Sequence, residues 1–417
     1  MRIPRLFRAY AGFDRGVYLL FLAQVVTSVG HFVHPFLTLF LTQKLGMDAG
    51  QAGLYVLASL AAWVPGSLIG GALADSFGRK RALVLFHTAA ALALVPCAFL
   101  GTSRVVAWLL IGVSFLNGLA EPVNDAMLTD LTTPDRRKAA FGLLYLGNNV
   151  GFAVGPLIAG FLFNRSLAWF FLGDALTSLA AVALIAAFVR ESAPTREAVR
   201  RSLAEGTGLE RAEEGSLAAV LRRRPYLVAF LFFYIPLPLA YAQVHFSLPL
   251  QLVQLFGAGG AETYGLLISF NALTVIVLTT VVLHLSERVP SALTVSLAGV
   301  CYGGGFVLIG LVRTVPWLLV STFVWTVGEI LATIGVGAYI ANHSPMTHRG
   351  RINSVAPIIM FSGQAAGPAL AGLVIDRWSL AVVWPATLVL CLGGAALMAA
   401  LHARERGAAP PRAGRGP

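Results

Sequence analysis

The sequence predicts an all-α membrane protein, with twelve transmembrane helices in two pseudo-symmetric six-helix bundles. Three observations carry that expectation. Of 417 residues, 57% are hydrophobic and only 12% charged, about half the roughly 25% charged residues of a soluble domain. Apolar runs long enough to cross a bilayer, about 20 residues each, recur along the whole chain. One long polar stretch, residues 190–225, divides those runs six and six.

In order, the expected spans are 18–41, 52–74, 81–100, 105–129, 139–163 and 169–189, then 226–250, 263–283, 292–312, 316–340, 353–375 and 380–401. Charge clusters or Gly and Pro punctuation separate most of them. The first six make one bundle, 18–189, and the last six another, 226–401. The polar segment 190–225 mixes both charge signs and reads as a flexible linker, with a surface helix around Arg196, Glu197, Arg200, Arg201 and Glu205 left open. Residues 1–17 are basic and polar, and no small-residue cleavage site follows a short apolar core, so no cleaved leader is expected. Residues 402–417, rich in Gly, Pro, Ala and Arg, read as a disordered tail.

A net charge of +11 raises nucleic-acid binding, but the basic residues lie in short clusters between apolar runs and not on one solvated face. No nucleic-acid partner is expected. With both termini on one side, 25 of the 30 Lys and Arg fall there, and only Lys44, Arg104, Arg165, Arg313 and Arg377 fall on the other. Positive charge favours the cytoplasmic side of short loops. The expectation is therefore a multi-pass protein of the cell (plasma or inner) membrane with both termini and the linker in the cytoplasm. Cys97, Cys301 and Cys391 all lie in apolar runs, which suits packing better than a disulfide or a metal site.

An internal repeat supports the two halves. Trp108-Leu109-Leu110 opens the fourth span and Trp317-Leu318-Leu319 the tenth. Gly118 and Glu121 return loosely as Gly328 and Glu329, and Gly155-Pro156-Leu157-Ile158-Ala159-Gly160 returns as Gly367-Pro368-Ala369-Leu370-Ala371-Gly372. Paired halves around a midplane site characterise secondary transporters.

Between the second and third spans stands Gly71-Ala72-Leu73-Ala74-Asp75-Ser76-Phe77-Gly78-Arg79-Lys80. Gly71 permits close helix approach, Asp75 suits a helix terminus, Gly78 a tight turn, and Arg79 and Lys80 hold the loop on the basic side. This segment closely resembles the signature loop of the major facilitator superfamily and sits where that family keeps it. The resemblance implies that family's twelve-helix fold and a cytoplasmic gate in which Asp75 and Arg79 stabilise the outward-facing state. Ser76 departs from the usual basic residue, and Ser286-Glu287-Arg288 keeps only a remnant in the second half.

The fifth span carries Gly142, Gly151, Gly155-Pro156 and Ala159-Gly160. Glycines four apart share a helical face and allow close packing, while Pro156 removes a backbone donor and invites a bend. The pattern resembles the antiporter signature of the drug and proton antiporter branch, which implies export, although its repetition in the eleventh span leaves ordinary small-residue packing open. That branch usually carries an arginine where this chain has Ser114.

Ionisable groups at membrane depth are the sharpest signal, because each is several kcal/mol unfavourable there unless it faces a polar interior or is neutral. Asn117, Glu121, Asn124 and Asp125 share one face of the fourth span. At about 1.5 Å per residue, Glu121 lies roughly 13 Å from Asp130, and Glu329 about 20 Å into the tenth span. Desolvation without a basic partner favours the protonated acid, so a proton is the natural counter-ion. His31 and His34 in the first span, His245 in the seventh, and Asn148 and Asn149 in the fifth are further cavity candidates, each with the alternative of an ordinary packed polar group. Asp130 and Asp174 are expected at the membrane interface.

The expected function is a secondary active transporter working by alternating access: proton-coupled export of amphipathic or cationic small molecules, of the multidrug efflux type. Its energy source is the proton gradient, with no cofactor and no metal, and it is expected to work as a monomer in the lipid bilayer. Proton-coupled uptake or facilitated transport of a metabolite is the alternative. An intramembrane enzyme pairing Asp125 or Glu121 with Asp174 is more distant, because those residues lie towards opposite sides and no Gly-x-Ser-x-Gly element is present.

Overall fold

A computed structural model describes residues 10, 12–192, 222, 224–343 and 349–408. Within these, the side chains at 71, 72, 74–77, 134, 135, 137, 138, 341, 342, 349–355 and 408 lie outside the description. Most of the expected linker and parts of both terminal segments therefore lie outside the described residues, as do the side chains of Asp75 and Ser76.

No strand occurs among the described residues, and eleven apolar helical stretches are long enough to cross a membrane. One of them, Pro225–Ser286, has 62 residues and would extend about 93 Å if straight, three times the roughly 30 Å hydrocarbon core. It reverses around Gly257, which takes φ of +56°, and so supplies two crossings. The described residues thus make twelve.

The first span consists of α1 (Arg15–Val29), α2 (Val33–Leu39) and a π turn, Phe40–Lys44. There follow α3 (Ala49–Phe77), α4 (Arg79–Leu100), α5 (Val105–Asp130), α6 (Pro134–Phe152) with α7 (Gly155–Arg165), and α8 (Leu167–Phe188). The seventh span is α9 (Pro225–Tyr234), α10 (Pro236–Tyr241) and α11 (Ser247–Phe256). Then come α12 (Gly260–Ser286), α13 (Ser291–Leu311), α14 (Val315–His343), α15 (Arg349–Arg377) and α16 (Leu380–Ala408). Local chemistry sets several ends. Asp14 and Asp48 accept from Gly16 and Gln51 N–H at 2.7 Å to start α1 and α3, and Gly78, at φ of +90°, turns α3 into α4.

The first and seventh spans were expected as single helices, and both are broken. Proline explains both interruptions, because a proline removes the donor to the carbonyl four residues earlier and its ring crowds that carbonyl. Pro35 acts on His31, at the gap between α1 and α2. In the seventh span Pro236 opens α10, and Pro249 acts on His245, just before α11.

The chain forms two compact units whose bounds differ from the two sequence halves. One comprises residues 1–204, 244–276 and 368–378, and the other 205–243, 277–367 and 379–417. Within the first unit, α1, α4, α5, α6 and α8 share a core built on Val17, Leu20, Phe86, Val123, Met127 and Leu144. In the second unit, at the end that carries most basic residues, Tyr339 hydrogen-bonds to Glu405, His343 Nε2 lies 3.5 Å from Glu405 Oε1, and Arg224 donates to the His343 carbonyl at 2.8 Å.

The repeated Gly-Pro-x-x-Ala-Gly segments explain why pieces of the second half join the first unit. A Cβ on Gly265 would stand 2.1 Å from the Pro156 carbonyl oxygen, and one on Gly160 2.7 Å from that of Ala261. The second copy repeats the contact: Gly53 against Pro368 and Gly372 against Ala49, each at 2.4 Å. Each copy thus lies against an Ala-x3-Gly face, Ala261 with Gly265 or Ala49 with Gly53, and backbones meet where no side chain fits. Asp376 Oδ2 accepts a hydrogen bond from Gly50 N–H at 2.8 Å, and Asn164 Nδ2 donates one to the Ala258 carbonyl at 2.6 Å. Gly265→Val should therefore destabilise the protein by about 1–3 kcal/mol, the usual range for overpacking, while Gly304→Val, at a site with open space, should not. Thermal unfolding in detergent checks the difference.

Candidate functional site

Two hydrogen-bonded breaks organise the first unit. Where α1 gives way to α2, the N–H groups of Phe32 and Val33 both donate to Asp174 Oδ2 of α8 at 3.1 Å. Gly30 and Gly173 make this approach possible, since a Cβ on Gly30 would collide with the Thr177 side chain and one on Gly173 with the Phe32 ring. Asp174 is thus buried, and it holds the backbone of the neighbouring helix break. In the seventh span, the His245 carbonyl that Pro249 leaves without its helical donor accepts from Thr38 Oγ1 of α2 at 2.8 Å.

These breaks bring three imidazoles together. The His31 and His34 rings lie 5.5 Å apart, His31 is 5.9 Å from the Phe152 ring, and the charges of His34 and His31 both reach His245. Tyr264 Oη of α12 is 2.8 Å from His245 Nδ1 and orients that ring. Phe36, fully buried, packs edge-on against Tyr264 at 5.1 Å and anchors α2. His34 is exposed, Phe32 and Phe36 on either side of it in the chain are buried, and Phe152 is half-buried. Among the described residues, no group of three His, Cys, Asp or Glu is arranged to hold a metal ion.

The carboxyl pair of the fourth span stands in the same unit. Here α3 crosses α5 so closely that a Cβ on Gly118 would lie 2.3 Å from the Trp63 carbonyl oxygen. That crossing lets Trp63 Nε1 donate to Glu121 Oε2 at 3.1 Å. Asp125 stands one turn further along, and neither acid is covered by the rest of the chain, while Asn117 and Asn124 are half-buried beside them. Asn148 Oδ1 accepts from Ser28 Oγ at 2.9 Å and Gln24 Nε2 at 3.3 Å, which ties α6 to α1, whereas Asn149 is buried and bonded to its own helix at the Tyr145 carbonyl.

At the basic end, Arg79 Nε lies 3.3 Å from Asp130 Oδ2, and the Lys80 N–H faces the Glu191 carboxylate at 3.2 Å. Gly71 and Asp75 fall where side chains lie outside the described residues. In the fifth span, Gly151 and Gly155 lie against Ser28 and Val29 of α1, and Gly142 makes only ordinary contact with Tyr10. Gly155-Pro156 marks the step from α6 to α7, and Gly160 joins the close packing on Ala261.

In the second unit, Glu329 is half-buried on α14, within electrostatic range of Tyr234 and Tyr302. Tyr241 packs against Tyr302 and Trp325 at 5.7 and 6.1 Å. Trp325, one turn before Glu329, is fully buried, and its indole N–H has no hydrogen-bond partner among the described residues.

Residues 20–368 and 263–416 match the sequence profile of the Major Facilitator Superfamily. The chain belongs to the major facilitator superfamily. An uncharacterised MFS-type transporter of Bacillus subtilis (strain 168), YqjV, is 26% identical over 353 residues, 82% of each chain. A Na+, Li+, K+/H+ antiporter of Planococcus maritimus is 23% identical over 357 residues, 81% of this chain and 84% of the relative. Among solved structures, a POT family transporter in complex with a thioalcohol-conjugated peptide superimposes with a TM-score of 0.78 over 95% of this chain and 98% of its own, at 14% identity. That likeness concerns the fold alone.

As a major facilitator superfamily member the chain is a multi-pass membrane transporter and not an enzyme. Sequence reading did not register Asp174 as a functional support, nor that His31-Phe32-Val33-His34-Pro35 and His245-Phe246-Ser247-Leu248-Pro249 are two copies of His-Phe-x2-Pro. The duplicated motif was a usable signal, whereas the tie of Asp174 to Phe32 and Val33 required the tertiary structure. Asp174→Ala bares the Val33 N–H, while the Phe32 N–H keeps the Gly30 carbonyl at 2.7 Å, and should destabilise the protein by about 1–3 kcal/mol. Asp174→Asn keeps an acceptor oxygen and should lose less. Equal losses in thermal unfolding would show that the carboxylate's acceptor role is not what matters.

Proposed function

We propose that this transporter exports amphipathic cations by alternating access, in exchange for protons that enter along their gradient. In this reading it works as a monomer of the plasma (inner) membrane, with no cofactor, and keeps both termini and the linker in the cytoplasm. The observation that carries the proposal is the Glu121 and Asp125 pair with Trp63 donating to Glu121, in a span with no lysine or arginine at that depth. An ionised carboxylate so placed is several kcal/mol unfavourable without a compensating charge. It therefore holds either a proton or a cation, and mutual exclusion of the two is the chemistry of antiport. Glu329 offers a second carboxyl in the other unit, among aromatic rings that favour organic cations. The Planococcus relative, named as a cation and proton antiporter, supports the same exchange.

On this proposal the Gly-Pro segments and the Arg79 to Asp130 pair act as gates at opposite ends, and Asp75 belongs with the latter. Glu121→Gln and Glu329→Gln each retain a hydrogen-bonding side chain and lose the proton site. Each should abolish gradient-driven accumulation of tetraphenylphosphonium in proteoliposomes while passive equilibration persists. Unchanged accumulation and pH dependence in both single variants and the double variant would overturn the assignment.

Orientation has its own check, resting on the 25 to 5 partition of basic residues. Ser202→Cys in a background without Cys97, Cys301 and Cys391 should react with an impermeant maleimide only in inside-out vesicles.

A further inference from the structure

At the basic end of the second unit, the ends of α13, α14 and α16 border a cavity of about 360 Å³ whose lining includes Ser291, His343, His402, Glu405 and Arg406. We infer that this cavity is a lipid headgroup site, which holds the phosphate and the primary ammonium of an ethanolamine phospholipid. The inference goes beyond the proposed export and does not rest on it.

Polar groups that the fold leaves over are the first support. Glu405 meets the Tyr339 hydroxyl and His343 Nε2, but both contacts fall on Oε1. Its Oε2 has no hydrogen bond among the described residues, and 20% of the side chain stays exposed, so that oxygen is within reach of a ligand. His402 and Arg406 make no hydrogen bond or ion pair among the described residues, and neither is buried. Glu287, just before Pro290 at the rim, is engaged elsewhere, 3.6 Å from His284 Nδ1.

One carboxylate oxygen and two nitrogen-bearing side chains therefore share the cavity. A simple anion would satisfy the donors and face the carboxylate, and a simple cation would do the reverse. A zwitterion suits both. Phosphate oxygens match the guanidinium fork of Arg406 and an imidazole N–H of His402. A primary ammonium, with three N–H donors, matches Glu405 Oε2.

Depth is the second support, and it selects a lipid over a soluble ligand. From Leu380 to His402, α16 rises about 33 Å, slightly more than a hydrocarbon core of about 30 Å. At the same end α13 begins at Ser291 and α14 ends at His343. The cavity thus stands at headgroup level. Leu392, about four turns before Arg406 and on nearly the same helical face, is exposed and gives an acyl chain an apolar path beneath the headgroup. Free phosphoethanolamine has the same polar groups and nothing to lay along that path.

The test uses the purified full chain in detergent. Dioleoyl phosphatidylethanolamine, the matching phosphatidylcholine and phosphatidylglycerol, and water-soluble phosphoethanolamine are titrated separately, and bound molecules are counted by native mass spectrometry. Choline keeps the phosphate without an N–H donor, and glycerol keeps it without an ammonium. The ethanolamine lipid should bind wild type about tenfold more tightly than either other lipid, the worth of one hydrogen bond to a charged group. Free phosphoethanolamine should bind at least about tenfold more weakly than that lipid, because it buries no acyl chain. Glu405→Gln should abolish the preference for ethanolamine over choline, and Arg406→Gln, at an exposed position, should weaken the ethanolamine and choline lipids alike. Glu405→Gln also alters the contacts to Tyr339 and His343, so thermal unfolding without lipid identifies a misfolded variant, and the wild-type preference with Arg406→Gln decides the matter in that event. The site is wrong if wild type binds the three lipids equally, if the preference survives in folded Glu405→Gln, or if Arg406→Gln binds as wild type does. Phosphoethanolamine bound as tightly as the lipid would overturn the lipid assignment. The titration uses neither a gradient nor tetraphenylphosphonium, so its failure would leave the proposed exchange standing.

Discussion

A bilayer offers no water to a backbone N–H or carbonyl, so each must find a partner within the protein, and prolines in two spans make that impossible along the helix itself. Pro35 and Pro249 remove the donors that the His31 and His245 carbonyls would otherwise meet. Other helices supply partners at both breaks: Asp174 of α8 takes the N–H groups of Phe32 and Val33, which open α2 without helical acceptors, and Thr38 of α2 serves the His245 carbonyl. Because each partner comes from a distant segment, the breaks fix how α2, α8 and α11 stand relative to one another. The position of His31, His34 and His245 follows from that arrangement. A fully helical first span would carry the same imidazoles at ordinary helical spacing, without the bond that ties α2 to the seventh span.

The second constraint is the absence of a hydrophobic driving force between helices in lipid. Association then rests on dispersion and on close backbone approach, which small residues allow. Gly160, Gly265, Gly53 and Gly372 supply four such approaches in two matching pairs, and they draw residues 244–276 and 368–378 into the first compact unit. Individual dispersion contacts are worth only about 0.1–0.2 kcal/mol. Holding strength therefore comes from the number of contacts formed together, and a small displacement of one helix weakens many at once. An interface of that kind is strong when closed and separable without breaking any single strong bond. The Arg79 to Asp130 pair is of the other kind, a charge contact governed by direction and by neighbouring charge.

Legibility in the sequence followed the range of the interactions. The twelve crossings and all-helical class were readable, because hydropathy over about 20 residues is a local property. Only the Phe256 to Gly260 reversal was needed to reconcile eleven apolar stretches with twelve crossings. The bend at Pro156 was readable for the same reason. The breaks at His31 and His245 had a local cause in Pro35 and Pro249, but apolar composition on both sides made each run look continuous. The tie of Asp174 to Phe32 and Val33 was not legible, because depth along a helix was its only local coordinate, whereas its partners depend on which part of the first span lies opposite. Trp63 as the partner of Glu121 was likewise invisible, since it depends on the crossing of α3 and α5 at Gly118.

A carboxyl and a cationic cargo compete for one charge. On the proposed assignment a proton arriving at Glu121 or Asp125 displaces a cation, and reciprocity of linkage makes the converse hold, so that a bound cation expels a proton. Protons moving inward along their gradient would then drive cations outward, and the antiporter-type glycine segments are the part of the proposal that governs the alternation this coupling requires.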